Sequence, residues 1–527
     1  MRWTLILPAL LAFAPSQDDK KWAEAMAEWG KYSGSKDPND RARAVEAVGG
    51  ATYDKRDKQA LQMILAMLDS ELARDKQGKK EEEVSNAVLE ACVGALKKIT
   101  NSEAADLLLK RAKNKGMAPR ARLYVVWGLA GIKLESVEKT LVDLVDDPQP
   151  IVTIAAIDAL RDRELKNPEL YLRVLKDEKR PWEAKLSALL ALGKTADAAD
   201  EKSLESLLDA FGKSKPDEGR LRDEYRKLLA KLLGVEVPSD DPNAWRTAWA
   251  AKKAGKDPAK DGGTVAEPTE FFGGQTKSTR IVFILDRTGS MDIQIDFKED
   301  EKKPPRKLPM ATNGQKEPPQ ELGARAKCEE FLKKYDGLKV RSRMDALKKE
   351  FVRTICFMDP KVHFTVIWYE ANQTPWKDHL VPATWQNKLD IVQDVDRLKP
   401  SGGTNIWGGI ELAFKMVEQP NRPDVVQLDK KGSYATSVNG PDTFFLMTDG
   451  AHNNGKFVKQ NAAKPDDAVD KEAFIGELRK VNRLRKVVIN CVVLGSDDHG
   501  QQGGKTDPAL LKSIADETGG TFTHVKG

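Results

Sequence analysis

Cysteine and histidine are scarce in this chain, and each scarcity closes a class of chemistry. Four cysteines and five histidines occur in 527 residues. Cys92, Cys328, Cys356 and Cys491 stand too far apart for a CxxC metal or redox motif. In an oxidising compartment a pair such as Cys328 and Cys356 could bridge. Cys92, in a helical apolar pattern, and Cys491, in a strand-like run, read as buried free thiols. None of His363, His379, His452, His499 and His524 begins an HExxH, and no G-x-S-x-G elbow occurs, so zincin and α/β-hydrolase signatures are missing. Gly450 to Lys456 reads G-x-x-x-x-G-K, but Phe457 stands where a phosphate loop needs Ser or Thr.

A surplus of one charge is missing too. The 86 basic and 81 acidic residues leave a net charge of +5, without the clustered basic excess that nucleic-acid binding requires. No apolar run approaches the roughly 20 residues needed to span a bilayer. The longest near the start, Leu5 to Ala14, follows Met1-Arg2-Trp3 and has the pattern of a secretory leader. Cleavage after Ala14 would leave Pro15 first, so a cut after Ser16 is expected. Residues 1–16 are therefore read as a signal peptide and the product as exported, periplasmic or secreted. No cysteine follows the run to carry a lipid.

What is present is two kinds of periodicity. From Trp22 to Lys253 apolar residues recur at three- and four-residue steps, the period of helices. Pro119, Pro150 and Pro181 recur at an interval of 31, each at the start of a helical pattern. Leu123, Val126 and Leu129 after the first match Ile154, Ile157 and Leu160 after the second, and Leu186, Leu189 and Leu192 follow with a one-residue slip. Two-helix units that cannot bury their apolar faces alone must stack, so 17–253 is expected to be an all-α solenoid. From Asp37 to Gly234 it resembles short bacterial HEAT-like repeats, although the interval is shorter than usual. Trp245 and Trp249 share one face of a last helix and read as an end cap. Residues 254–277 are rich in Lys, Asp, Gly and Pro and read as a linker.

The second half alternates strand-like and helical runs. Ile281–Leu285, Val362–Tyr369, Thr443–Met447 and Val487–Leu494 are continuous apolar stretches separated by helical patterns. Strands apolar on both faces imply a mostly parallel sheet covered on both sides, with ligands at the carboxyl ends of its strands. At those ends stand Asp286-Arg287-Thr288-Gly289-Ser290, Thr448-Asp449-Gly450 and Ser401-Gly402-Gly403-Thr404-Asn405. Two carboxylates and three hydroxyls, with no His or Cys, form an all-oxygen set of the kind hard cations prefer.

Asp286-x-Thr288-x-Ser290 resembles the DxSxS element of the von Willebrand factor A (VWA) metal-ion-dependent adhesion site, with threonine at the middle hydroxyl. Thr404 and Asp449 match the family's later threonine and aspartate, and LKSIADETGGTF from Leu511 to Phe522 resembles its last helix and strand. The resemblance spans 278–527 and implies a Rossmann-like α/β domain. It further implies that Ser290, Thr288 and Thr404 are hydroxyl ligands of a divalent cation, while Asp286 and Asp449 supply charge. Mg²⁺ is the first choice, with Mn²⁺ or Ca²⁺ as alternatives, and an acidic side chain of a protein partner takes the open position. A charged, proline-rich insertion at about 292–341, with Lys303-Pro304-Pro305-Arg306-Lys307 and Glu317-Pro318-Pro319, is expected to be a mobile loop. Asp292, Asp296 and Asp300 within it fit no cation-loop spacing.

The expected function is thus non-enzymatic: an exported scaffold that captures an acidic partner through a metal. An accessory subunit of a larger enzyme or of a secretion or assembly complex is the alternative. A hydrolase built on His452 and the metal is weaker, because one histidine without an orienting partner or nucleophile makes a thin base.

Overall fold

The computed structural model describes residues 16–51, 55–76, 86–195, 201–215, 218–256, 267–295, 308–309, 318–419, 422–429, 438–459, 469–495 and 507–525. The leader read at 1–16 therefore lies outside them, except Ser16, and so do Asp296 and Asp300. No helix of the described residues is long and apolar enough to cross a membrane. The chain divides into two compact units, Met1–Leu165 and Lys166–Gly527.

The first unit is helical: α1 Gln17–Tyr32, α2 Pro38–Gly50, α3 Asp57–Lys76, α4 Asn86–Leu96, α5 Ser102–Lys113, α6 Pro119–Leu129, α7 Glu135–Leu144 and α8 Pro150–Asp162. Ser16 caps α1, its hydroxyl accepting from Asp19 N at 3.1 Å. Consecutive helices pair (α5 with α6, α7 with α8), and the second members α4, α6 and α8 stack on one another. Pro119 and Pro150 occupy the first turns of α6 and α8, where a missing N–H costs nothing. Leu123, Val126 and Leu129, and their counterparts Ile154, Ile157 and Leu160, are all buried between layers.

The second unit begins in the same style, with α9 Pro168–Lys176, α10 Trp182–Thr195, α11 Glu201–Lys213, α12 Gly219–Leu233 and α13 Pro242–Lys253. Here α10 packs on α9 and α12, and α11 on α9 and α13. Trp245 of α13 is buried and donates its indole N–H to Ser239 O at 2.8 Å.

A mostly parallel α/β sheet follows. Its strands are β3 Arg280–Asp286, β4 His363–Tyr369, β9 Thr443–Thr448, β10 Val488–Leu494 and β11 Phe522–Val525, with short β5 Gln373–Pro375 and β6 Val381–Pro382. The order is β11-β10-β9-β3-β4-β5, with β6 also on β4; only β5 and β6 run antiparallel to their neighbour. Helices α14 Pro319–Asp336, α15 Arg343–Phe357, α16 Trp385–Asp396, α17 Ile406–Phe414, α18 Lys471–Arg485 and α19 Pro508–Thr518 cover it. Strand alternation sorts the core: Phe283, Leu285, Phe445 and Met447 face α14–α16, whereas Val282, Ile284, Phe444 and Leu446 face α17–α19. A separate ribbon, β7 Met416–Gln419 with β8 Arg422–Leu428, is antiparallel.

Two expectations need correction. The expected linker includes an ordered antiparallel hairpin, β1 Thr269–Phe271 with β2 Gly274–Thr276. Phe271 holds it down: the ring is fully buried, with centroids 5.7 Å from Phe283 and from Phe445. The expected mobile insertion contains α14, an 18-residue helix packed on α15 and α16. Ala324, Cys328 and Tyr335 bury its inner face, and Glu321 accepts from Trp385 N at 2.7 Å, capping α16. All four cysteines are buried free thiols. Cys356 Sγ approaches Cys328 O at 3.7 Å, so the pair considered for a bridge is adjacent but unbonded.

The helical array also grips the amino ends of the strands. Arg220 of α12 donates to Asp442 O at 3.1 Å and to Lys486 O, and Gly219 N donates to the Thr279 hydroxyl at 3.2 Å. A Cβ at Gly219 would collide with Lys277 O, so glycine is what permits this approach. Buried Glu183 of α10 accepts from Asn439 N at 2.6 Å.

Candidate functional site

Strand β3 lies centrally, with β4 on one side and β9, reached later, on the other. The chain thus switches direction across the sheet at β3, and the crevice at such a switch is where α/β sheets place ligands. The five residues singled out in the sequence converge there.

Asp286 ends β3 and is fully buried. One carboxylate oxygen accepts from Thr288 N at 2.7 Å, which folds the loop tightly back on the strand. The other accepts from the Thr448 hydroxyl at 2.6 Å and lies 3.3 Å from the Tyr369 hydroxyl. Asp449, one residue beyond β9, presents Oδ1 to the Ser290 hydroxyl at 2.9 Å and the Thr288 hydroxyl at 3.4 Å, and these two hydroxyls lie 3.0 Å apart. Thr404 approaches from the loop before α17. A methyl placed on Gly450 would sit 3.3 Å from Thr404 Oγ1 and 3.8 Å from Ser290 Oγ, so both hydroxyls border the same glycine.

Electrostatics mark the site as short of positive charge. Burial, then the neighbouring Asp449, pushes the Asp286 carboxyl up to about 7. Asp449 is raised as well, by burial, although the Arg343 guanidinium pulls it back. That arginine was missed in the sequence. It opens α15, is 4% exposed, and donates to Asp449 Oδ2 at 3.0 Å. Nothing local signals its role, since the partners are 106 positions apart.

The donor set fits a small hard cation. Mg²⁺–oxygen distances of about 2.0–2.1 Å make the edges of an octahedron about 2.9 Å long. The triangle of Thr288 Oγ1, Ser290 Oγ and Asp449 Oδ1, with sides of 3.0, 2.9 and 3.4 Å, approximates one face. Among the described residues no group of three His, Cys, Asp or Glu side chains gathers to hold a metal, so the hydroxyls are needed to complete a ligand set.

His452 is not a base. Its Nδ1 accepts from Ile406 N at 3.2 Å and its Nε2 meets Lys456 O at 2.6 Å, an arrangement that requires the neutral tautomer with the proton on Nε2. Burial lowers its pKa in agreement. The ring ties the start of α17 to the 452–456 loop, whose Asn453 side chain accepts from Thr404 N at 2.7 Å. His452→Ala should therefore cost stability, about 1–3 kcal/mol for the buried groups left unpaired. Urea denaturation would measure this, and no loss would contradict the structural role.

No model of a known protein family matches this chain. It is similar to mouse (Mus musculus) inter alpha-trypsin inhibitor, heavy chain 4, at 28% identity over 90 residues, which is 17% of this chain and 9% of that protein. Solved structures with some likeness include a conserved hypothetical protein, BatB, from Bacteroides thetaiotaomicron, with 13% identity and a TM-score of 0.26 over 47% of this chain and 91% of that one. Proximal thread matrix protein 1 of the mussel byssus gives 12% and 0.22, over 46% of this chain and 42% of its own. An aerotolerance-related membrane protein from Bacteroides fragilis gives 14% and 0.22, over 47% and 92%. Scores this low leave the reading of the site to its own geometry.

Proposed function

We propose that the chain is a non-enzymatic protein-binding scaffold whose α/β domain, of the VWA type, captures an acidic side chain of a partner through a divalent cation. One observation carries the reading: the Asp449, Ser290 and Thr288 oxygens form a compact face beside a second buried carboxylate, at the switch point of a parallel sheet. The short homology to the mouse heavy chain supports a VWA-type domain. Ser290, Thr288 and Thr404 would hold the ion with their hydroxyls, and Asp286 and Asp449 would balance its charge. The ion supplies an electrophilic position that selects carboxylate over neutral ligands. The helical pairs, read as HEAT-like repeats, would offer a second binding surface.

The reading extends to an exported protein, on the strength of the leader pattern in 1–16. Partner capture from a native envelope extract in Mg²⁺ should be lost in EDTA. Capture that is indifferent both to EDTA and to Asp286→Ala would sink the metal-mediated reading.

A further inference from the structure

We infer that Arg343 is a resident counter-cation of this site: it holds the affinity for a divalent ion down and keeps the metal-free protein folded. The inference rests on the metal reading above and concerns a residue outside the five ligands. The two oxygens of Asp449 are divided between opposite demands. Oδ1 faces the Ser290 and Thr288 hydroxyls, where an ion would bind, while Oδ2 takes the Arg343 guanidinium at 3.0 Å. The same Nη1 also lies 3.4 Å from Asp449 O. A fixed positive charge on one side of a carboxylate repels any cation drawn to the other side, and burial leaves little water to screen it. Arg343 is 4% exposed and Asp449 is fully buried.

Three segments build the slot for this arginine. The backbone of Arg343 donates to Ile293 O at 3.2 Å, and Ile295 N donates to Arg341 O at 3.1 Å, stitching the start of α15 to the exit of the Asp286–Ser290 loop. Ser342 caps α15 and exchanges hydrogen bonds with Asp345, which fixes where the next residue points. On the far side Gly495, at φ +136°, follows β10; a Cβ there would stand 2.8 Å from Arg343 Nη2. A glycine, a capped helix and a loop thus leave room for one guanidinium beside the site. Its Nε, buried with no hydrogen-bond partner, gains nothing from the position, so the contacts with Asp449 carry the arrangement.

The test is calorimetric titration of the full chain with Mg²⁺ and Mn²⁺ at pH 8, comparing the parent, Arg343→Gln and Arg343→Met. The methionine variant fills the slot with an apolar chain and guards against a folding defect. Circular dichroism confirms the fold, and melting is followed in EDTA and in Mg²⁺. Removal of the charge should tighten metal binding by about tenfold or more. Both variants should melt lower than the parent in EDTA and recover in Mg²⁺. Unchanged or weaker binding in folded variants, with the parent still binding, overturns the role of Arg343 alone. No binding by any of the three proteins overturns the metal reading and the inference together.

Discussion

Asp286→Asn should stabilise the metal-free protein at pH 8 while weakening its response to Mg²⁺. The two effects have one cause. In the folded chain the Asp286 carboxyl is pushed up to about 7, against an ordinary value of 3.8, by burial first and by Asp449 second. Between those values the folded protein retains a proton that the unfolded chain has released. Stability from this group is therefore present at low pH and is lost as pH rises through that window. Above it the ionised, buried carboxylate opposes folding unless a cation is bound. Asparagine can still accept from Thr288 N through its amide oxygen, and the Thr448 hydroxyl can rotate to accept from its NH₂. The variant should thus melt higher than the parent in EDTA at pH 8, with a flatter slope between pH 4 and 7. In Mg²⁺ the order should reverse, because a ligand stabilises only the state it binds. Loss of the charge should weaken metal binding by about 10- to 100-fold, the scale seen when outer-shell partners are removed. Differential scanning calorimetry across pH, with and without Mg²⁺, measures all of this. A parent more stable than Asp286→Asn in EDTA at pH 8 would show that the carboxylate is held for structure, not for a cation.

Arg485→Ala is expected to be strongly destabilising, by about 3–5 kcal/mol, because it removes a buried guanidinium that serves two backbone carbonyls and whose charge attracts buried Glu183. Arg485 is fully buried at the end of α18 and donates to Phe414 O and Met416 O, each at 3.0 Å. Burial lowers its pKa to about 10, and it supplies the attraction that most restrains Glu183. Glu183 belongs to α10 and reaches Asn439 N just before β9, so the loss falls where the helical array meets the sheet. Gly440 is part of the same design, since a Cβ there would occupy the space of the guanidinium. Glu183→Gln should behave oppositely. Burial raises the Glu183 carboxyl to about 7, so its ionised form opposes folding as pH rises from about 4.5 through 7. A glutamine at 183 can still accept from Asn439 N, and at pH 8 it should be neutral or stabilising. Urea denaturation at pH 8 separates the two; similar losses from both would show that the pair acts through packing and not through charge.

The candidate site was legible in the sequence because its residues are punctuated. Asp286, Thr288 and Ser290 follow an apolar strand with one residue between each, and Asp449 follows another strand directly. Glycines at 289, 402, 403 and 450 mark where the backbone must turn or approach closely. The alternating runs were equally readable, since a strand buried on both faces can be little other than apolar. The supporting residues were not. Tyr369 and Thr448 lie 83 and 162 positions from the Asp286 they touch. Tyr369 ends one apolar strand and Thr448, although it stands beside Asp449 at the rim, ends another, and nothing in the pattern shows that their hydroxyls reach Asp286. His452, beside Asp449, drew attention as a base, but both of its nitrogens are committed to backbone groups.

Composition misled twice, in the hairpin at 269–276 and in α14. Each sits in a stretch rich in charge, Gly or Pro, yet each is held by a few buried side chains: Phe271 in one, Ala324, Cys328 and Tyr335 in the other. Sparse anchors vanish in a local average, and whether they find a core depends on what the rest of the chain brings near. Local pattern alone was enough to mark the helical region, the parallel strands and the order of the five candidate residues, because periodicity and turn chemistry act over short spans. Which guanidinium faces Asp449, which hydroxyls brace Asp286 and which helices grip the base of the sheet were decided by tertiary structure, because those contacts join segments that only folding brings together.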